Sequence, residues 1–214
     1  MLPLIILGGP TASGKSKIAL ALAEHLGTEI ISADSMQVYK YFDVGTAKPS
    51  PVEREHITHH LVDILEPEEE FTAFEFKERA LAHIREIRNR NRIPVMVGGT
   101  GLYLKTLLEN RDCAISVSPG VRRQVQDEIQ QKGTQEMHAE LASIDPVYAG
   151  KIQPTDPSRI ARALSVHRET GRKLSDFHAE DATADYEFES HLFILETDRQ
   201  HLYDQIDRRV DIMM

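Results

Sequence analysis

The chain has 214 residues, 41% of them hydrophobic, with a formal net charge of −9 and a single cysteine, Cys113. That is enough apolar material for one sizeable core and a small additional lobe, and too little cysteine for a disulfide framework or a multi-cysteine metal site. With no run of about 18 apolar residues and no basic n-region at the N-terminus, the sequence argues against a membrane span and a signal peptide, and the chain is expected in the reducing cytoplasm.

Residues 4–7 form a short apolar run ending in Gly8 and Gly9, and the segment after Lys15 has helical periodicity with Gly27 as its stop, so the chain opens as strand, loop and helix. Residues 29–32 read as a second buried strand with Asp34 just beyond it, residues 74–90 as a helix, and residues 93–97 as a third strand ended by Gly98 and Gly99. Strands alternating with helices predict a parallel sheet whose site lies at the C-terminal ends of the strands. From about residue 110 the pattern turns helical: Ser118-Pro119 opens a helix to Lys132, another spans 134–143, and Asp156-Pro157 opens a third that reaches Thr170 and Gly171. Residues 192–195 return to strand character, and Thr197-Asp198 caps a last helix that carries no stop signal, so the chain reads as the front part of something longer. The predicted organisation is α/β: a P-loop core over 1–109, a helical insertion over 110–185, and a return to the core over 186–214.

Gly9-Pro10-Thr11-Ala12-Ser13-Gly14-Lys15-Ser16 matches G-x-x-x-x-G-K-[ST] between a predicted strand and a predicted helix, the context this phosphate-binding loop requires. Its glycines turn backbone N–H groups into an anion nest at a helix N-terminus, Lys15 adds a cation, and the Ser16 hydroxyl is placed to ligate Mg²⁺. Such loops mark nucleotide-binding, ATP-binding proteins, yet the loop alone does not say which phosphorylated molecule it holds. An ATPase of this kind offers a carboxylate after a second apolar strand, whereas residues 93–97 run into Gly-Gly-Thr-Gly. Asp34 is the carboxylate at a strand end, and it reads equally as a metal ligand, a general base or a helix cap.

The net negative charge argues against indiscriminate binding to a polyanion, so any RNA contact requires cations gathered locally. Residues 85–92 (REIRNRNR) and 159–173 (RIARALSVHRETGRK) are such gatherings, and both read equally as solvated helix faces. His56, His59 and His60 have no carboxylate or cysteine at ligand spacing and read as structural.

Taken in order, Gly-Pro-Thr-Ala-Ser-Gly-Lys-Ser, then Ile31-Ser32-Ala33-Asp34-Ser35-Met36-Gln37-Val38-Tyr39, Gly45-Thr46-Ala47-Lys48-Pro49, His59-His60-Leu61-Val62-Asp63 and Val97-Gly98-Gly99-Thr100-Gly101-Leu102-Tyr103, the chain resembles the tRNA dimethylallyltransferase (tRNA isopentenyltransferase) family. Asp156-Pro157-Ser158-Arg159-Ile160-Ala161-Arg162-Ala163-Leu164 resembles that family's D-P-x-R-x-x-R-A-L helix, with Ser158 where Gln is common. The resemblance implies transfer of a dimethylallyl group from dimethylallyl diphosphate to the exocyclic amine of the adenosine 3′-adjacent to the anticodon, in tRNAs that read codons beginning with U. It implies Asp34, Thr100 and Arg209 as catalytic residues, and Gly9 to Ser16 as the diphosphate cradle, with Mg²⁺ on Ser16. It also implies tRNA contacts from Asp34, Ser35, Met36 and Gln37 around a flipped base and from Ser158, Arg159, Ile160, Ala161 and Arg162 along the anticodon stem-loop. A monomer acting on tRNA, without a membrane, is expected. Three other readings stay open: an adenylate dimethylallyltransferase acting on free adenine nucleotide, a small-molecule P-loop kinase, and a nucleic-acid-binding module without catalysis.

Overall fold

The computed structural model describes residues 2–109, 115, 117–181 and 188–213. Five strands, β1 (Leu4–Gly8), β2 (Ile30–Ser32), β3 (His59–His60), β4 (Val95–Gly98) and β5 (Ser190–Ile194), form one sheet in the order β3-β2-β4-β1-β5. All four pairings are parallel, with Ile6 opposite Met96 and Gly8 opposite Gly98 across the β1–β4 pair.

Alternation along β1 decides the two cores. Leu4 and Ile6 face one side, where they meet Phe76, Ala80 and Ile84 of α3 (Ala73–Asn89) and Tyr103, Leu104 and Leu107 of α4 (Gly101–Leu108). Leu7 faces the other, with Ile30 and Val95, against Ala19 and Ala23 of α1 (Lys15–Leu26). Each helix starts for a local reason. α1 begins straight after Gly14 (φ 84°) and stops at Gly27 (φ 57°), left-handed positions that glycine occupies without a Cβ penalty. α3 starts in a capping box, Thr72 accepting from the Glu75 amide while Glu75 accepts from the Thr72 amide.

The predicted strands and helices of the core are all present within a residue or two. Two elements were not anticipated: α2 (Pro51–His56), which carries a Ser50–Glu53 capping box, and the two-residue edge strand β3. At the opposite edge β5 leaves Leu192, Phe193 and Ile194 each about half exposed (45%, 56% and 54%).

Two compact units are distinguished: Met1–Leu108 with Tyr186–Met214, which holds the sheet and α10 (Arg199–Met213), and Glu109–Asp185. The second unit, described by itself, is helical: α5 (Pro119–Lys132), α6 (Thr134–Ile144), α7 (Pro146–Ala149), α8 (Pro157–Thr170) and α9 (Leu174–Asp181). Val125, Met137, Leu141, Ile160 and Leu164 fill its core. Arg168 of α8 clamps Glu128 of α5 through two hydrogen bonds (2.6 and 2.8 Å) and reaches Glu140 of α6 at 3.1 Å. That guanidinium, set against the cost of partial burial, holds the Glu128 carboxyl down to about 2. The short helices α7 and α9 had no counterpart in the sequence reading; Asp145 joins them by accepting from the Tyr148 and Ser175 amides.

Within the basic run over 85–92, Arg90 and Arg92 remain exposed (41% and 48%) yet converge on buried Glu29 (2.9 and 3.4 Å), which also pairs with His60 at 2.7 Å, and Arg88 lies over the Phe188 ring. These two pairs fasten the start of β2 to the end of α3.

Candidate active site

The loop between β1 and α1 can approach its neighbours closely because glycines leave room. A Cβ on Gly9 (φ 150°) would come 2.9 Å from the Leu195 carbonyl oxygen, and one on Gly99 would come 3.2 Å from the Gly9 carbonyl oxygen. Within the loop the Ser13 hydroxyl is buried and has no hydrogen-bond partner among the described residues, a cost that an anion in the nest would remove. Lys15 is half-buried and donates to the Pro10 carbonyl at 2.7 Å. Burial depresses its pKa more than the nearby Asp34 charge raises it, and Arg209 depresses it further. Lys15, Asp34 and Arg209 therefore share one electrostatic neighbourhood, although they come from α1, the end of β2 and α10.

A cavity of about 370 Å³ opens on this loop, lined by Ala12 to Lys17, by Arg209 and Gln205 of α10, by Leu20, Ile30 and Val97 at its apolar side, and by Lys48, Glu53 and His59. The structure thus brings Arg209 to the phosphate loop. Arg209 forms no ion pair among the described residues.

Thr100 is brought beside the Asp34 turn, onto Ser35, because β2 and β4 converge. A Cβ on Gly98 would lie 2.1 Å from the Ala33 carbonyl oxygen, so only glycine permits the approach. Beyond that point the Ser35 amide donates to Thr100 Oγ1 at 3.0 Å. Thr100 therefore turns its hydroxyl away from its own helix, toward the Asp34 turn. Asp34 Oδ1 accepts from the Met36 and Gln37 amides (2.9 and 3.3 Å), and Oδ2 has no hydrogen bond among the described residues. The cap and the general base that the sequence left as alternatives can thus coexist on the two oxygens of one carboxylate.

Gln37 is committed internally. Its Oε1 accepts from Ser32 Oγ at 2.9 Å, and its Nε2 donates to the Thr46 and Ala47 carbonyls at 3.1 and 3.0 Å. Lys48, whose side chain is only 4% exposed, bridges the Tyr39 carbonyl (2.8 Å), Asp43 (2.9 Å) and Asp63 (2.6 Å). Burial alone would lower the Lys48 ammonium; its bonds to Asp63 and Asp43 outweigh that and raise it. His59 donates through Nδ1 to the Ile57 carbonyl at 2.7 Å, which assigns Nδ1 as the protonated nitrogen, and burial keeps its pKa below the usual value. Lys48, Glu53 and His59 were not singled out from the sequence as site residues. The signals that could have found them are the Gly45-Thr46-Ala47-Lys48-Pro49 run and the Ser50–Glu53 capping pattern.

In the helical unit, Ser158 and Arg159 are exposed at the start of α8, where Asp156 caps the helix and pairs with Arg159 at 3.4 Å. Arg162 is half-buried and donates to the Ile115 carbonyl at 3.0 Å. Ile160 is fully buried, its side chain packing this unit's core. Among the described residues, no group of three His, Cys, Asp or Glu side chains could hold a metal, so an ion here would rest on Ser16, exposed in the first turn of α1, together with ligand oxygens.

The model of the IPP transferase family matches residues 37–214. The tRNA dimethylallyltransferase of Geobacter metallireducens is 43% identical over 211 residues, which cover 99% of this chain and 68% of the relative, and tRNA dimethylallyltransferase 2 of Geotalea uraniireducens is 44% identical over the same shares. Among solved structures, the tRNA isopentenylpyrophosphate transferase of Bacillus halodurans is similar at 36% identity and a TM-score of 0.64, and a eukaryotic dimethylallyltransferase acting on tRNA at 31% and 0.83. This chain spans 66% of the first of those structures and 53% of the second.

Proposed function

The chain belongs to the IPP transferase family, and we propose that it transfers a dimethylallyl group from dimethylallyl diphosphate to the exocyclic amine of the adenosine 3′-adjacent to the anticodon, in tRNAs that read codons beginning with U. The observation that carries this reading is the Ser35–Thr100 hydrogen bond, which sets Thr100 beside the Asp34 turn, together with a phosphate loop that Lys15 and Arg209 both serve. No carboxylate follows β4, where an ATP-using enzyme of this architecture would want one.

The reaction breaks the bond between the allylic carbon and its diphosphate oxygen, forms a bond from that carbon to the adenine nitrogen, and releases one proton from the amine. The amine is a weak nucleophile because its lone pair is delocalised into the ring, and the base must leave its stack to be reached. Asp34 takes the proton; its Oδ2 is available while Oδ1 fixes the turn. The loop amides with Lys15 and Arg209 hold the charge that grows on the departing pyrophosphate. Mg²⁺ held by Ser16 would neutralise part of that charge when bound. Thr100 fixes the Asp34 turn through the Ser35 amide. Asp34, Ser35 and Met36 are assigned to the flipped base, and Ser158, Arg159 and Arg162 to the anticodon stem-loop, Arg159 and Arg162 lying three apart on one helix face. A monomer in the cytoplasm, where tRNA is found, completes the reading.

The test is transfer of labelled dimethylallyl to unmodified tRNA and to AMP in parallel, with Asp34→Asn as the control. Asparagine keeps the Oδ1 acceptor but cannot take the proton, so transfer should fall by about 10² to 10⁴-fold with the fold intact. Label in AMP alone would move the chain to the nucleotide-prenylating branch, and undiminished transfer by Asp34→Asn would remove Asp34 from the role of base.

A further inference from the structure

Gln37 stands in the segment assigned to the flipped base, but its hydrogen bonds point elsewhere. A glutamine amide has two N–H donors, and here both are used, on the Thr46 and Ala47 carbonyls. The orientation is not interchangeable: turned over, Oε1 would face two carbonyl oxygens and repel both. Oε1 in turn receives the buried Ser32 hydroxyl at the end of β2. The backbone is engaged as well, since the Gln37 amide caps onto Asp34 and its carbonyl accepts from the Asp63 amide at 3.0 Å. No donor remains to read a base unless the clamp on 46–47 lets go.

The clamped segment is under conformational load. Ala47 has φ 47°, in the left-handed region that alanine rarely occupies, and such a residue persists only where its surroundings hold it. Immediately after it, Lys48 and Pro49 line the same cavity as Lys15 and Ser16. Gln37, which itself lines that cavity, therefore ties the strand end to the 46–47 segment through its side chain and holds the Asp34 turn through its backbone amide.

We infer that Gln37 is a positioning residue for the diphosphate: it holds the Ala47–Pro49 wall against the phosphate loop and acts on substrate through that wall, without contacting the adenine. The inference rests on the reading of the cavity as a diphosphate site. It separates two substrates that would otherwise be affected together, because a base-reading glutamine weakens tRNA and a wall-holding one weakens the diphosphate.

The experiment is calorimetric binding of inorganic pyrophosphate and of dimethylallyl diphosphate to the wild-type chain, Gln37→Ala, Gln37→Glu and Ser32→Ala, followed by the KM for tRNA of each. Gln37→Glu keeps the acceptor for Ser32 and loses both donors, so it should resemble Gln37→Ala, with diphosphate affinity reduced about tenfold and the KM for tRNA within about twofold of wild type. Ser32→Ala removes one bond of the clamp at a residue that itself lines the cavity, leaves both bonds to the Thr46 and Ala47 carbonyls in place, and should weaken pyrophosphate by about threefold. Unchanged diphosphate affinity in the glutamine variants together with a raised KM for tRNA would overturn the inference. Should Gln37→Ala fail to fold, Ser32→Ala decides alone, and wild-type affinity in it would overturn the inference equally. Pyrophosphate binding that responds as expected in a protein that prenylates nothing would leave the clamp standing and reject the proposed reaction.

Discussion

Gly98→Ala isolates the convergence of β2 and β4. The added Cβ would sit 2.1 Å from the Ala33 carbonyl oxygen and 2.5 Å from its carbonyl carbon, whereas ordinary contact begins at 3.4 Å. Both atoms belong to backbone, so the strain cannot be relieved by turning a side chain, and the strand ends must separate by more than 1 Å, from 2.1 toward 3.4 Å. Four hydrogen bonds cross this seam: Ala33 N–H to the Val97 carbonyl (2.7 Å), Thr100 N–H to the Ala33 carbonyl (3.3 Å), Ser35 N–H to Thr100 Oγ1 (3.0 Å) and Thr100 Oγ1 to Ser35 Oγ (3.4 Å). Losing two of them at about 1 kcal/mol each, with about 1–3 kcal/mol for overpacking, gives about 3–5 kcal/mol of destabilisation. A displacement of about 1 Å at Asp34 should also cost about a hundredfold in single-turnover transfer by whatever fraction remains folded. Gly101→Ala is the control, since nothing lies within 4 Å of its Cβ and it sits at the start of a helix; it should match or slightly exceed wild-type stability. Urea denaturation of the two variants reads the first quantity and saturating single-turnover kinetics the second. A Gly98→Ala protein as stable and as fast as Gly101→Ala would mean that the seam does not hold the Asp34 turn beside Thr100.

Lys15→Met should weaken pyrophosphate binding by about 10- to 100-fold while leaving the melting temperature equal to or above wild type, because burial disfavours the ammonium it removes; calorimetry and a thermal melt check both signs. The Glu128 carboxyl lies at about 2 in the folded chain, below its ordinary value, so its stabilising effect is complete above about pH 4.3 and is lost as pH falls from there through about 2. Glu128→Gln should therefore melt several degrees lower than wild type at pH 7 and converge with it near pH 2, followed by helical circular dichroism; parallel melting curves at both pH values would reject the Arg168 clamp as the cause.

The sheet was legible because its strands are short apolar runs that end in glycine or in a polar turn, and β1, the phosphate loop and α1 follow one another within 26 residues. The edge strand was not, because two histidines carry no periodicity and become a strand only by pairing with Ile30 and Ile31. Asp34 was singled out by its position at a strand end and Thr100 by the resemblance, but the Ser35–Thr100 bond beside them depends on Gly98, a residue read only as a strand stop. In the run over 85–92, Arg90 and Arg92 pair with Glu29, about sixty positions earlier, and charge counted along the chain cannot see a partner that distant. Gln37 and Lys48 show the same limit, since their partners lie in loops whose course no local pattern dictates.

The most direct test of the whole account is to supply the chain with unmodified tRNA, dimethylallyl diphosphate and ATP together and to follow prenylated adenine, pyrophosphate and ADP in the same vessel. The account predicts one pyrophosphate released for each prenylated adenine, with ATP untouched. ADP formation without prenylated adenine would contradict it and return the phosphate loop to phosphoryl transfer.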